Sequence, residues 1–333
     1  MKLLVVVLNY RTAELVVDCL RSLEAEIAAI GDARVVVVDN ASDDGSVEFI
    51  ATAIEEEGWG GWAALQPQAT NDGFAAGNNR AIELALANDD APQFVHLLNS
   101  DTLVRPGALG VLLEFMDAHP EVGLSGSRLE DPDGTQQHSR YRFPTARGEF
   151  AQGMGMRAVH ALLRGSLVAT PLSNDAHRTD WVAFASVMIR CAVFEDVGLL
   201  DEGYFMYFED TDFALQARRA GWTCWYVPAS RVVHLVGRSS GVTVRGVRGG
   251  RRPRYWFDAH ARYHRKNRGR LAQWCVALAW LSGYGLGRLR RTLLGRVESD
   301  PPWLWWDFLC HSIALPTGGA SQPARTDQGA PQA

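Results

Sequence analysis

Val35-Val-Val-Val-Asp-Asn-Ala-Ser-Asp-Asp-Gly-Ser46 reads as a buried β-strand that stops at a carboxylate. Four β-branched residues in a row suit a strand covered on both faces, as the strands of parallel sheets are. Asp39 stands at the carboxyl end. The polar run after it carries turn and capping residues into a helix that reaches about Glu57. Upstream, Leu3–Leu8 is a second apolar strand, and Ala13–Ile30 has helical spacing through Leu15, Val16, Cys19, Leu20, Leu23 and Ile27. Strand, helix and strand form a βαβ unit, so the chain is an α/β protein with a parallel sheet. Ligands of such sheets bind beyond the carboxyl ends of the strands. Asp39 is therefore a candidate contact for a ribose or a base, a role that turn chemistry alone does not require of it.

The same edge recurs downstream. Asn71-Asp-Gly-Phe-Ala-Ala-Gly-Asn-Asn79 opens a helix with two glycines and three amides, which suits close approach of a polar ligand to backbone N–H groups. Phe94–Leu98 is a strand ending in Asn99-Ser-Asp101, and Asp101 is a candidate ligand for Mg²⁺ or Mn²⁺. A helix is expected from Pro106-Gly107 to about His119, a strand over Val122–Ser125, a helix near 148–163 and then a mobile polar loop. Asp180–Ile189 reads as one strand, Val193–Val197 as a short helix, and Thr223–Val227 and Arg231–Leu235 as two strands, the second holding His234. A lone histidine is by default a structural residue. Between these elements lies Tyr204-Phe-Met-Tyr-Phe-Glu-Asp-Thr-Asp-Phe213, an aromatic run that ends in Glu209, Asp210 and Asp212 on the first turn of a helix closed by Gly221. The acids complement the helix dipole. The aromatic wall can also desolvate a carboxylate and raise its pKa towards that of a general base.

The bulk numbers bound the rest. With 333 residues, 47% apolar and 21% charged, the composition is that of a globular protein with a sizeable core. Five scattered cysteines without a CxxC argue for a reducing compartment and against structural zinc. The apolar run behind Met1-Lys2 is too short for a signal peptide and lacks a cleavage site. Residues 245–296 hold fourteen Arg or Lys and one acid, Asp258, giving +13 in a chain of net −5 and leaving −18 elsewhere. An acidic body thus carries a basic, Trp-rich extension whose partners are anionic lipid or phosphorylated substrates. The acidic body and the lack of a recognised nucleic-acid module argue against nucleic acid. Leu271–Gly287 is uncharged but at 17 residues short of a bilayer span, and Gly283, Gly285 and Gly287 are expected to break its end. Arginines flank it on both sides, so it reads either as a core helix or as an interfacial helix on an anionic leaflet. Residues 313–333, rich in Gly, Pro, Gln and Ala, read as a disordered tail.

Taken in order, Asn9-Tyr10, Val38–Ser46, Asn71–Asn79, Leu98–Asp101, Asp180-Trp-Val182, Phe208–Asp212 and His234 with Ser239 or Ser240 resemble the motifs of family 2 glycosyltransferases over roughly residues 3 to 270. Gln137–Arg140 with Phe143–Thr145 and Arg252–Trp256 resemble the bacterial rhamnosyltransferase-like branch of surface polysaccharide assembly. The resemblance implies a GT-A fold, Rossmann-like, with a mixed, mostly parallel sheet flanked by helices and a C-terminal helical extension. It implies a catalytic domain over 1–245, with a nucleotide-sugar half to about 130 and an acceptor half after it, and an extension over 246–312. It assigns Asn9, Tyr10, Asp39, Asn71, Gly73, Asn78 and Asn99 to the nucleotide sugar and Asp101 and His234 to Mg²⁺ or Mn²⁺. Asp210 becomes the catalytic base, with Glu209 and Asp212 binding the acceptor or tuning the base.

The implied reaction is inverting transfer of one sugar from a dTDP-rhamnose-like or UDP-sugar donor to a glycan or polyprenyl-diphosphate-linked acceptor. The implied place is the cytoplasm, peripheral on the inner membrane. Two departures stand out: Asn99-Ser-Asp101 replaces Asp-x-Asp, and Phe184 stands where relatives carry Gly and is expected to narrow the acceptor pocket. A processive synthase is disfavoured by the lack of a QxxRW motif after the base and of several membrane spans. The competing reading from another class is an inactive sugar-nucleotide-binding scaffold protein.

Overall fold

The structure is a computed structural model that describes residues 1–235, 250–295 and 300–313. Ser239, Ser240, the boundary at 245 and most of the C-terminal tail lie outside the described residues. In chain order the elements are β1 (Leu3–Asn9), α1 (Ala13–Ile30), β2 (Ala33–Asp39), α2 (Ser46–Glu56), β3 (Ala63–Pro67), α3 (Phe74–Leu86), β4 (Phe94–Asn99), β5 (Thr102–Val104), α4 (Ala108–Ala118) and β6 (Val122–Glu130). There follow β7 (Arg140–Tyr141), α5 (Ala146–Met154), α6 (Arg157–Leu162), β8 (His177–Thr179), β9 (Trp181–Val182), β10 (Ser186–Arg190), α7 (Cys191–Val197), α8 (Glu209–Arg219), β11 (Thr223–His234), α9 (Arg254–Leu293) and α10 (Leu304–Ile313).

The main sheet runs β3-β2-β1-β4-β10-β6-β11-β5, and β8 also pairs with β11. It is mixed and mostly parallel: β3, β2, β1 and β4 are parallel neighbours, as are β6 and β11, whereas β10 is antiparallel to both β4 and β6. The continuous apolar runs explain the layers. Val5 and Val7 of β1 face one core with Leu20, Leu23 and Val35, while Leu4 and Val6 face the other with Ile82, Leu97 and Phe213. Alternate residues go to opposite faces, so both faces must be covered by helices. Register then sets the functional edge: Asn9 pairs with Asp39 and Leu8 with Asn99, which aligns the carboxyl ends of β1, β2 and β4.

Several elements differ from the sequence reading. Asp180–Ile189 is two strands: β9 pairs with β7 in a small second sheet, and β10 returns to the main one after Phe184 and Ala185. The two strands expected over 223–235 are a single strand, β11 (Thr223–His234), with a register shift between Val227 and Arg231 that accommodates Pro228. The helix expected near 148–163 divides at Gly155, which closes α5 in a left-handed conformation. Gly283, Gly285 and Gly287 do not break the C-terminal helix. α9 runs through them to Leu293, and its one interruption is Gly269, at φ 85° and ψ 169°. These glycines are contact points. A Cβ at Gly283 would overlap the Phe150 carbonyl, and one at Gly287 the Met154 carbonyl, so α9 and α5 approach backbone to backbone. Both parts of α9, before and after Gly269, enclose with α10 a further small core around Phe257, Trp280, Tyr284 and Phe308.

Candidate active site

The edge of β1, β2 and β4 is a buried polar network. Asp39, 1% exposed, accepts from Asn9 Nδ2 at 2.7 Å, from Ser42 Oγ at 2.6 Å and from the Ser42 amide at 3.1 Å. Asn9 Oδ1 in turn accepts from the Thr12 amide and hydroxyl. Asn9 and Asp39 are thus held from within and shape the edge, while Tyr10 beside them is exposed and carries the Arg11 guanidinium over its ring. Arg11, Ala41 and Asp43 all have positive φ, a cluster of backbone strain of the kind that marks ligand sites.

The next loop is tied to this edge. Asn40 Nδ2 donates to Asn71 Oδ1 at 2.8 Å and to the Gly73 carbonyl at 3.2 Å. Asn78 donates to the Phe74 carbonyl inside α3. Gly73, at φ 95° and ψ −175°, lies against the aromatic run: the Phe74 amide donates to the Phe205 carbonyl at 2.7 Å, and a Cβ at Gly73 would overlap that carbonyl oxygen. Only glycine adopts this conformation readily. The segment assigned to the donor and the segment before the acids are therefore joined through backbone contact.

That second segment is strained where it meets α8. Tyr207 and Phe208 are consecutive residues with φ of 72° and 68°. Such positions cost on the order of 1–3 kcal/mol each and persist where the surroundings impose them. They turn the chain so that the acids begin α8. Asp210 lines a largely apolar cavity of about 470 Å³ with Tyr141, Trp181, Tyr207, Trp256 and His260. Burial pushes its pKa up to about 6, against hydrogen bonds from the Thr211 amide and hydroxyl that favour the charged form. Burial, and then the charge of Asp210, raise Glu209 well above the usual carboxylate range. Two adjacent buried carboxyls of this kind titrate as a pair, and both are shifted towards the protonated form.

Asp212 is placed elsewhere. Its carboxylate accepts from Lys266 Nζ and Asn267 Nδ2, both at 2.6 Å, and so fastens α8 to α9. Lys266 and Arg262 also reach Asp201, each at 2.7 Å, and part of the basic charge of α9 is thereby matched to acids of the body. Phe184 corrects another expectation. Its ring does not narrow the cavity. It is buried in the core, edge-on to Phe213 at 6.1 Å between centroids, while the stacked pair Tyr141 and Trp181 supplies the wall.

At the metal-side edge, Asp101 is buried at the turn between β4 and β5, and β5 pairs with the end of β11. This brings His234 Nε2 to 3.5 Å from Asp101 Oδ1. Asn99 is partly exposed at the end of β4.

Sequence reasoning missed Glu149, His260 and His264. All three are buried, and their ligating atoms lie within 4.8 Å of one another, Glu149 and His260 at the wall of the cavity. Burial and the neighbouring His260 push the pKa of His264 down to about 2, so its imidazole is neutral. The spacing His260-x-x-x-His264 was visible in the sequence, but only the crossing of α5 over α9 brings Glu149 to it.

A sheet of this order, with an acid–imidazole pair at the strand edge and buried carboxylates opening the helix before β11, has the architecture of the GT-A glycosyltransferases. The sequence profile described as "Glycosyltransferase like family 2" matches residues 2–249, and the chain belongs to that family. It is 28% identical over 223 residues to the N-acetylglucosaminyl-diphospho-decaprenol L-rhamnosyltransferase of Mycobacterium tuberculosis, a match covering 62% of this chain and 68% of that protein. It is 25% identical over 219 residues to the low-salt glycan biosynthesis hexosyltransferase Agl10 of Haloferax volcanii, covering 65% and 61%. In fold it resembles the mannosyltransferase PcManGT from Pyrobaculum calidifontis, solved with GDP-Man and Mn²⁺, with a TM-score of 0.57 at 16% identity over 90% of this chain and 77% of that one.

Proposed function

We propose that this glycosyltransferase moves one sugar, with inversion at the anomeric carbon, from a dTDP- or UDP-sugar to a hydroxyl of a polyprenyl-diphosphate-linked glycan. The observation that carries the reading is Asp210: a carboxylate with a raised pKa, on the wall of an apolar cavity, tied through Phe205 and Gly73 to the strand edge. The donor nucleotide lies over Tyr10, Asn71 and Asn99, with the backbone of the Gly73 turn beneath it. Asn9, Asp39 and Asn78 hold this surface in shape. Asp101 and His234, a buried carboxylate beside an imidazole, fit a divalent cation. These two residues would hold Mg²⁺ or Mn²⁺, which would supply positive charge for a nucleoside diphosphate leaving group. Asn99, an amide, is a weaker ligand than a carboxylate, so affinity for the ion is modest. Asp210 accepts the proton of the attacking hydroxyl, and Tyr141 and Trp181 give an acceptor sugar an aromatic face to stack on.

Two things support this acceptor class: the relative in M. tuberculosis, whose name places its substrate on decaprenol diphosphate, and the surface of α9. Leu271, Trp274, Leu278, Leu286, Leu289 and Leu293 are exposed along one side of this helix, among arginines. No helix among the described residues is long and apolar enough to cross a membrane. The stripe suits docking on an anionic leaflet, which assigns residues 246–312 to membrane attachment and 1–245 to catalysis at the cytoplasmic face. Proton NMR of the product made from an α-configured donor tests the stereochemistry. A β-linked product supports Asp210 as base in a single displacement, and retention of the donor configuration rules that mechanism out.

A further inference from the structure

We infer that Glu149, His260 and His264 form a second cation site, separate from Asp101 and His234, that takes a zinc-class divalent ion. His260 and His264 lie one turn apart on α9 and present both rings to α5, whose Glu149 carboxylate comes within 3.8 Å of His260 Nε2. The rings sit 4.8 Å apart between centroids, and all three side chains are buried. None of the four ring nitrogens of His260 and His264 has a hydrogen-bond partner. Buried polar atoms are satisfied in the great majority of cases, and a cluster of four that are not calls for an ion or water between them. Two imidazoles and a carboxylate are the donor set of a zinc site with one open position, whereas magnesium and calcium prefer oxygen ligands alone. The ligating atoms, within 4.8 Å of one another, need only small side-chain rotations to reach the ~2 Å bonds of zinc.

Glu149 and His260 also line the cavity that holds Asp210, so the open position faces the acceptor side. The ion would pin α5 to the part of α9 before Gly269, in addition to the glycine contacts that join α5 to the part after it. It would thus fix the cavity wall carried by both helices.

The test is metal binding by the full chain, independent of turnover. Protein stripped with a chelator is titrated with Zn²⁺, and separately with Co²⁺ followed by visible absorption. We expect one tightly held equivalent, the absorption of a tetrahedral cobalt site, and a raised thermal midpoint. Asp101→Asn should keep all three; His264→Gln and the pair His260→Asn with His264→Gln should lose them while far-ultraviolet circular dichroism stays native. X-ray absorption of the zinc-loaded wild type needs no variant and should show two imidazole ligands. A wild type that takes up no zinc, a zinc shell without imidazole, or an equivalent kept by folded His264→Gln and lost by Asp101→Asn overturns the inference.

Discussion

Asp210 and Glu209 show how one residue's surroundings set its chemistry. Burial raises Asp210 to about 6, so turnover should rise with pH through that value and level off above it. A pH–rate profile already flat from pH 4.5 upward would remove Asp210 from the role of base. Asp210→Asn should cost ~10²–10⁴ in turnover with nucleotide affinity kept, since a general base contributes about that much. Near-normal turnover in the variant contradicts the assignment. The same shift has a thermodynamic sign. A carboxyl whose pKa is raised on folding holds a proton that the unfolded chain has already released between about pH 4 and 6, so stability falls as pH rises through that window. Asp210→Asn should therefore be more stable than wild type at pH 7, by up to about 3 kcal/mol, and the gap should close at pH 4. Denaturant unfolding at the two pH values reads it, and a gap independent of pH would argue against a buried, titrating Asp210. The acids were legible in the sequence because Glu209-Asp-Thr-Asp212 follows an aromatic run. Their division of labour was not, because it depends on Lys266 reaching Asp212 from a helix 54 residues on.

Among the elements, the loop before α3 and the loop before α8 act as one unit through Gly73 and Phe205. Gly73→Ala places a Cβ against the Phe205 carbonyl at a φ/ψ reserved for glycine. It should lose roughly 1–3 kcal/mol of stability and raise the donor KM, as measured by denaturant unfolding and initial rates; unchanged values would mean that the two loops move independently. Gly283→Ala should likewise destabilise by about 1–3 kcal/mol, because α9 cannot withdraw from α5 without opening the core around Trp280. α1 was legible to the residue, since its apolar spacing and closing Gly31 agree with its fold. β3 and β5 were missed for physical reasons. Ala63-Ala-Leu-Gln-Pro67 has no β-branched residue and ends in proline, and β5 is three residues long. The glycines of α9 read as helix breakers because sequence alone does not show that another backbone fills the space a Cβ would take.

For the molecule as a whole, the charge asymmetry of the sequence has two fates. Lys266 and Arg262 bind acids of the body, while Arg270, Arg288 and Arg290 are sequence neighbours of the exposed apolar residues of α9. That surface should bind anionic vesicles, and the binding should weaken with salt. Leu278→Glu with Leu289→Glu should reduce vesicle binding at least tenfold in a flotation assay, with turnover on a detergent-soluble acceptor unchanged. Equal flotation of variant and wild type would detach α9 from the membrane. The order of strand, edge and acid made the family legible, but the sugar and acceptor depend on cavity surfaces built from residues far apart in the chain. The most direct measurement is nucleoside diphosphate release by the purified protein with Mg²⁺ or Mn²⁺, across dTDP-, UDP- and GDP-sugars, with and without a polyprenyl-diphosphate-linked glycan. Release from one donor that requires metal, lipid-linked acceptor and Asp210 is the predicted result. Nucleotide binding without release from any donor in the presence of that acceptor would contradict it and point to a binding protein.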